Sequence, residues 1–330
     1  MTYLITGASG HLGSTIIKFL KKDPDNKIYG LIMKGDELMG EENVMYFNGD
    51  ITDSRSLDSF FSSSPSEGSI VIHAAGRISI EDDISPLLFN VNVEGTLNVI
   101  KMCKKYNASR LVYISSVDAL GEEKNEDGII EEHEFATTNI RGGYAYTKAL
   151  SSSYVIKEAR DKNLDAIVIM PSCILGVGDT LGNNHLNKFV RSLIKKRVPI
   201  SLEGGFDFVD VRDVALGIIK ASISGKSGES YILSNKYYSV DELEECVREI
   251  VGGHKKTRIS LKTMNFFVPI VGFFARVFRK RNLLTKYSVH TLSTHLLFSH
   301  EKATRELAFH PRSLKDTIID MKTEMENTKK

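Results

Sequence analysis

Apolar positions in the first two-thirds of the chain fall into short runs separated by longer amphipathic segments. The runs are Tyr3–Ile5, Ile28–Met33, Ile70–His73, Leu111–Ile114 and Ala166–Met170, each of strand length. Between them, Leu12–Lys22, Val91–Lys105 and Tyr144–Lys157 carry helical periodicity. Such strand–helix alternation predicts an α/β fold with a doubly wound parallel sheet, which places ligands at the carboxyl ends of its strands. Ser62–Ser66 reads as a loop ahead of the strand at Ile70. After about Asn235 the pattern turns mostly helical, with Ser239-Val240-Asp241-Glu242 predicting a helix start.

The segment Thr6-Gly7-Ala8-Ser9-Gly10-His11-Leu12-Gly13 follows the first strand and opens the first helix. Gly7 permits a tight turn, Gly10 lets backbone approach a pyrophosphate, and Gly13 lets the helix pack closely on the sheet. The helix N-terminus, beginning around His11 and Leu12, favours the phosphates. A plain strand–helix turn would use the same glycines, so the triplet needs support from elsewhere in the chain.

That support is a resemblance. Gly-x-x-Gly-x-x-Gly is the spacing of short-chain dehydrogenases/reductases, and three further segments resemble their extended branch in family order. Gly49-Asp50-Ile51-Thr52-Asp53 is similar to the segment whose Asp and following residue contact adenine, which implies that role for Asp50 and Ile51. His73-Ala74-Ala75-Gly76 is similar to the loop that runs along the cofactor, and Asn92-Val93-Glu94-Gly95-Thr96 to the helix whose Asn steadies it. Met170-Pro171-Ser172, Phe208–Ala215 and the stretch from Glu301 to Leu314 extend the likeness over nearly the whole chain. The resemblance implies a Rossmann domain over residues 1–170, with a return segment near 207–235. A smaller, mostly helical substrate-binding region takes 171–206 and 236–330. Pro171 joins the implied cofactor contacts, and the subgroup most resembled is that of 3β-hydroxysteroid dehydrogenases and dihydroflavonol reductases.

Tyr144 and Lys148 stand four apart, one turn apart on one helix face. A tyrosine titrates near roughly 10 and needs a neighbouring cation to move a proton near neutrality. Lys148 would supply it and, by the resemblance, grip the nicotinamide ribose. Ser116, five residues before Gly121, is favoured over Ser115 as the hydroxyl that polarises the substrate carbonyl. An isolated Tyr–Lys pair could equally be a surface helix pair; order and spacing within the family pattern favour catalysis.

For the cofactor, the second strand runs out at Met33-Lys34-Gly35, with Asp36 beyond. Lys34 would attract a 2′-phosphate and tilts the expectation toward NADP(H) over NAD(H), although Asp36 could reach back. Sugar-nucleotide dehydratases carry Thr-Asp-Glu where this chain has Ser116-Val117-Asp118, lacking the central acid. Ala119-Leu120, Met170 and Val177 replace polar or aromatic family residues assigned to the substrate entrance. The leading expectation is therefore an NAD(P)-dependent oxidoreductase acting on an apolar small molecule, steroid-like or polycyclic. A sugar-nucleotide epimerase with tightly held NAD is the second reading, and a non-catalytic dinucleotide-binding regulator the third.

Composition adds a qualification. There are 43 Lys+Arg against 42 Asp+Glu, a formal +1. Yet between Glu249 and Glu301 there is no acid and nine Lys/Arg, leaving 34 basic against 42 acidic residues elsewhere, a formal −8. Within the basic stretch lie Phe266, Phe267, Phe273, Phe274 and Phe278, followed by Arg279-Lys280-Arg281. Residues 264–281 are expected first as the lid of an apolar substrate site and second as a peripheral membrane contact. A core-facing helix with a solvated basic end would look the same. No nucleic-acid motif accompanies the basic residues. Three scattered cysteines and no room for a signal peptide before Tyr3 lead to the expectation of a cytoplasmic protein. No metal site is expected from the histidine spacing, and a homodimer is compatible with the fold class.

Overall fold

The computed structural model describes the chain apart from positions 37, 39, 41, 139, 183, 255, 278–283 and 329–330, with backbone alone at 272–277. Its centre is one parallel sheet of seven strands: β1 (Thr2–Thr6), β2 (Lys27–Ile32), β3 (Val44–Asn48), β4 (Ile70–His73), β5 (Arg110–Ile114), β6 (Ala166–Pro171) and β7 (Ser230–Leu233). The spatial order is β7-β6-β5-β4-β1-β2-β3, so the chain reverses direction across the sheet between β1 and β4. Loops leaving those two strands at their carboxyl ends splay apart there, which is where doubly wound sheets bind ligands.

Alternation along the strands explains why both faces are covered. Leu4, Val71, Leu111 and Val168 face one way, and Ile5, Ile72, Val112 and Ile167 the other. On the first face pack α2 (Ser54–Ser62), α3 (Gly95–Lys105) and α4 (Gly143–Arg160), through Phe60, Val99 and Val155 among others. On the second pack α1 (His11–Leu20) and α5 (Val211–Ser224), through Ile16, Leu20, Val214 and Ile218. All five runs predicted from sequence are strands of this sheet.

Two of the elements that the sequence reading does not mark have a clear physical reason. The β3 strand is an edge whose Met45 is exposed, so its apolar pattern is weak. The serine-rich α2 has low helix propensity and is started by Asp53, whose side chain accepts from the Arg55 amide. The later part of the chain is mostly helical: α6 (Val240–Val251), α7 (Leu261–Val277) and α8 (Lys286–Ser293) precede two further helices, Glu301–Leu307 and Leu314–Asn327. Ser239 caps α6 in a reciprocal box with Glu242.

Candidate active site

The cofactor side is built from close backbone contacts. Gly7 has φ +70°, and a Cβ there would stand 2.7 Å from the Ala75 amide nitrogen. A Cβ on Gly13 would fall 2.1 Å from the Gly7 carbonyl oxygen. Only glycines let the loops after β1 and β4 and the first turn of α1 meet in this way. Gly10 is the helix N-cap and supplies no side-chain cap. The first-turn amides of His11, Leu12 and Gly13 are thus left to an outside acceptor, and this cradle suits a dinucleotide pyrophosphate.

The His11 side chain does something else. Its Nδ1 accepts from the Asn184 side-chain amide (3.1 Å), so its Nε2 carries the proton donated to the Val177 carbonyl (2.9 Å). Burial holds its pKa below the ordinary imidazole value. His11 therefore ties the glycine loop to Gly176-Val177-Gly178, while its amide faces the cradle. Leu12 packs on the core below.

Beyond β2, where the sequence led to the expectation of adenosine contacts, Lys34 is exposed, while Asp36 folds back to accept from the Ser9 hydroxyl in the glycine loop (2.5 Å). Asp50 is exposed and receives both the amide and the hydroxyl of Thr52 (2.8 Å each). Ile51 is buried against Gly95 and takes a hydrogen bond from Asn98 on its carbonyl, so its side chain belongs to the core.

A buried neutral network fixes the loop after β4. Register places Thr6 beside His73, and the Thr6 hydroxyl lies 2.7 Å from His73 Nδ1. The Thr96 hydroxyl donates to the Asn92 carbonyl (2.6 Å), so it must accept from His73 Nε2 (3.1 Å), and Thr6 then donates to Nδ1. Burial, with Lys148 nearby, drives the His73 pKa down to about 3, keeping it neutral. Asn92 sits in a wide π-type turn, Asn90–Glu94, ahead of α3. Its side chain exchanges hydrogen bonds with the backbone of Arg77 (2.8 and 3.0 Å) and donates to Thr147 on α4 (3.0 Å). Ala74–Gly76 is thereby clamped between β1 and α4. Pro171 is buried at the end of β6, opposite Leu233.

At the end of β5 the two serines diverge. The Ser115 hydroxyl points to Ser152 of α4 (2.7 Å). Ser116 caps a short 3-10 turn, Val117–Leu120, and its hydroxyl donates to Asp118 (3.2 Å). Ser116 also lies beside the Tyr144 hydroxyl and lowers its pKa, but burial first, and Asp118 second, hold Tyr144 above the usual tyrosine range. Lys148 is buried, with its ammonium 2.7 Å from the Ile114 carbonyl and over the Tyr113 ring at 4.9 Å. Desolvation lowers its pKa to about 7. A Cβ on Gly76 would come within 3.4 Å of the Lys148 nitrogen, so the amine adjoins the cofactor loop.

Here the structure departs from the sequence expectation. Tyr144 is raised rather than lowered, because burial and a neighbouring carboxylate act on it while Lys148 is committed to Ile114. The 3-10 turn explains a second departure. Residues i and i+3 share a face in such a turn, so Asp118 and Gly121 line the cavity beside Tyr287 and Ala145. Ala119 and Leu120 are packed in the core, as is Met170. The apolar replacements expected at the substrate entrance are core residues in these cases.

The cavity itself is small, ≈ 30 Å³. Its rim carries a chain unmarked by sequence spacing: Arg141 donates to His290 Nδ1 (3.1 Å), whose Nε2 meets Glu122 (2.5 Å). Tyr287 is equally distant in sequence, and Gly142 (φ +91°) makes room for its ring, since a Cβ there would lie 2.3 Å away. A larger cleft, ≈ 520 Å³, opens on the other side of the 293–297 segment and is lined by Tyr237, His295 and Arg258 among others. Phe266 and Phe267 line neither space; Phe278 and Arg279–Arg281 lie outside the described residues. Among the described residues no helix is long and apolar enough to cross a membrane.

A glycine cradle at the switch point, beside a Tyr–Lys pair on the helix flanking β5, defines an oxidoreductase of the extended short-chain dehydrogenase/reductase type. Residues 3–234 match the NAD dependent epimerase/dehydratase family, and the chain belongs to it. It is 27% identical to sterol demethylase protein B of Methylococcus capsulatus, over 97% of both chains. It is 25% identical to 3 beta-hydroxysteroid dehydrogenase type 7 of Mus musculus, covering 94% of this chain and 91% of that one. Among solved structures, that of gox2253 superposes with a TM-score of 0.81 at 25% identity, covering 99% of this chain and 98% of the other.

Proposed function

We propose that the enzyme interconverts a hydroxyl and a ketone on an apolar, steroid-like or polycyclic substrate, with Ser116, Tyr144 and Lys148 acting on the reacting oxygen. The observation that carries this reading is the Ser116 hydroxyl beside the Tyr144 hydroxyl, with the Lys148 amine, one turn along the same helix, adjoining the cofactor loop at Gly76. A bound nicotinamide would supply or accept the hydride. Tyr144, kept protonated by burial and by Asp118, is set to donate its proton to a ketone oxygen. Ser116 would orient that oxygen, releasing its own hydrogen bond to Asp118 to do so. Lys148 would hold the cofactor ribose and support the phenolate once the proton has left.

For the substrate class, support comes from two relatives of nearly full length, one named sterol demethylase protein B and one 3 beta-hydroxysteroid dehydrogenase type 7. Val117, buried in the core, gives no acid to protonate a leaving hydroxyl, which weighs against dehydration. For the cofactor, the Asp36 carboxylate at the glycine loop opposes a 2′-phosphate, and Lys34 points to no described partner. This shifts the balance from NADP(H), favoured by Lys34 alone, to NAD(H). A reducing cytoplasm suits the three unpaired cysteines.

The test is the absorbance of reduced cofactor, NADH against NADPH, with ketosteroids, flavonoid ketones and sugar nucleotides. Ketosteroid-dependent oxidation of NADH is expected, reduced by about 10²–10⁴-fold in Tyr144→Phe. Turnover of sugar nucleotides alone, without net redox change, would favour an epimerase. Unchanged turnover in Tyr144→Phe would remove the mechanism.

A further inference from the structure

Helix α7 (Leu261–Val277) is apolar around most of its circumference, which is the pattern of a helix covered on every side. The structure covers only a narrow stripe of its described part. Met264 and Val268 are buried against Val289 and Leu292 of α8. Leu261 packs at the edge of the same cluster, while four apolar side chains stand in solvent: Phe266 is 69% exposed, Phe267 45%, Ile270 40% and Val271 37%. Pro269 and Lys262 are also exposed on this helix. The patch continues no described cleft.

What covers this face is indicated by charge. The 51 residues from 250 to 300 contain nine Lys/Arg and no acid. Lys256 and Arg258 are paired with Glu244, Glu203 and Asp241. Lys262 and Lys286, at the starts of α7 and α8, are exposed, and the sequence adds Arg279-Lys280-Arg281 just after α7. The four exposed side chains among the described residues amount to roughly 350 Å² of largely apolar surface. An apolar helix face flanked by cations fits an anionic bilayer surface, where aromatic side chains enter the headgroup boundary and the cations meet lipid phosphates.

We propose that α7 is a membrane-surface helix that seats the enzyme on anionic lipid through Phe266, Phe267, Ile270 and Val271. On its buried side α7 packs on α8, which also supplies Tyr287 and His290 to the small cavity beside Asp118.

The test is flotation of the purified full chain with vesicles of phosphatidylcholine alone or mixed with phosphatidylglycerol. It reads lipid binding, so it stands or falls independently of the proposed reaction. The wild type should float with the mixed vesicles, less so at high salt and much less with phosphatidylcholine alone. The double variant Phe266→Asp/Phe267→Asp should lose about tenfold in bound fraction while keeping its Tm and NADH binding. Phe266→Leu/Phe267→Leu, which preserves apolarity, should still float. The proposal is overturned if the wild type stays in solution with the mixed vesicles or if the Asp variant floats equally. A wild-type dimer by sedimentation that the Asp variant converts to monomer would assign the patch to a second copy instead.

Discussion

The two sides of α4 are held by opposite kinds of chemistry. Toward the cofactor loop, Thr6, His73, Asn92, Thr96, Thr147 and Ser151 are all buried and linked by neutral hydrogen bonds whose donors and acceptors are fully assigned. Toward the small cavity stand Asp118, Arg141, Glu122 and His290, charged or chargeable and partly open to water. A buried neutral network resists both pH and motion, because breaking any link strands a polar group away from water. Charged groups at a rim respond to pH and can part at little cost, since water replaces the lost partner. One side is therefore fitted to a constant ligand, and the other can be reshaped.

The contrast can be broken most sharply on the rigid side. Gly13→Ala would drive a Cβ into the Gly7 carbonyl, and the cradle has no flexible side chain to yield. Nucleotide affinity should fall more than about tenfold, a cost above ~1.4 kcal/mol, as measured by quenching or transfer of reduced-cofactor fluorescence. Retained affinity would mean that the first turn of α1 is looser than the buried network implies.

On the other side, Asp118→Asn should move the pH profile without displacing backbone. Asp118 raises Tyr144, so its removal lowers the pH at which Tyr144 can act as a base. The alkaline-favoured oxidation limb of the pH–rate profile should shift toward acid by up to about one unit. No shift would show that Asp118 does not sense Tyr144 in the working enzyme.

A further effect concerns stability and belongs to the boundary between the two sides. Lys148 is lowered to about 7 in the folded state from 10.5. Between those values the unfolded chain binds a proton that the folded one does not, so the wild type should gain stability as pH rises from 7 toward 10.5. Lys148→Met should flatten that rise in Tm against pH, at the cost of turnover. An identical slope in both proteins would place the amine in contact with solvent.

Much of the cofactor side could be read in the chain because its constraints are local. Glycine spacing after a strand, Asn92 ahead of a helix and the four-residue step from Tyr144 to Lys148 are short-range patterns, each imposed by one turn of backbone. Asp118 stood in view two residues from Ser116, but only the 3-10 turn shows that it faces the cavity while Ala119 and Leu120 face the core. Tyr287 and His290 reach the site across more than 140 residues of chain, and no periodicity encodes which distant helix closes a pocket. The reading of 264–281 shows the same limit, because a core helix, a lid and a surface helix share one composition.

By itself, then, the sequence determined a parallel α/β sheet, a dinucleotide cradle at its first turn and a tyrosine–lysine pair on one helix, because hydrophobic period and glycine spacing act within a few residues. The tertiary structure alone decided that Asp118 faces a cavity while Ala119 and Leu120 face the core, that Asp36 returns to the glycine loop, and that Phe266 and Phe267 remain uncovered. Those outcomes depend on which surfaces meet after packing, and burial of one face necessarily leaves another to solvent.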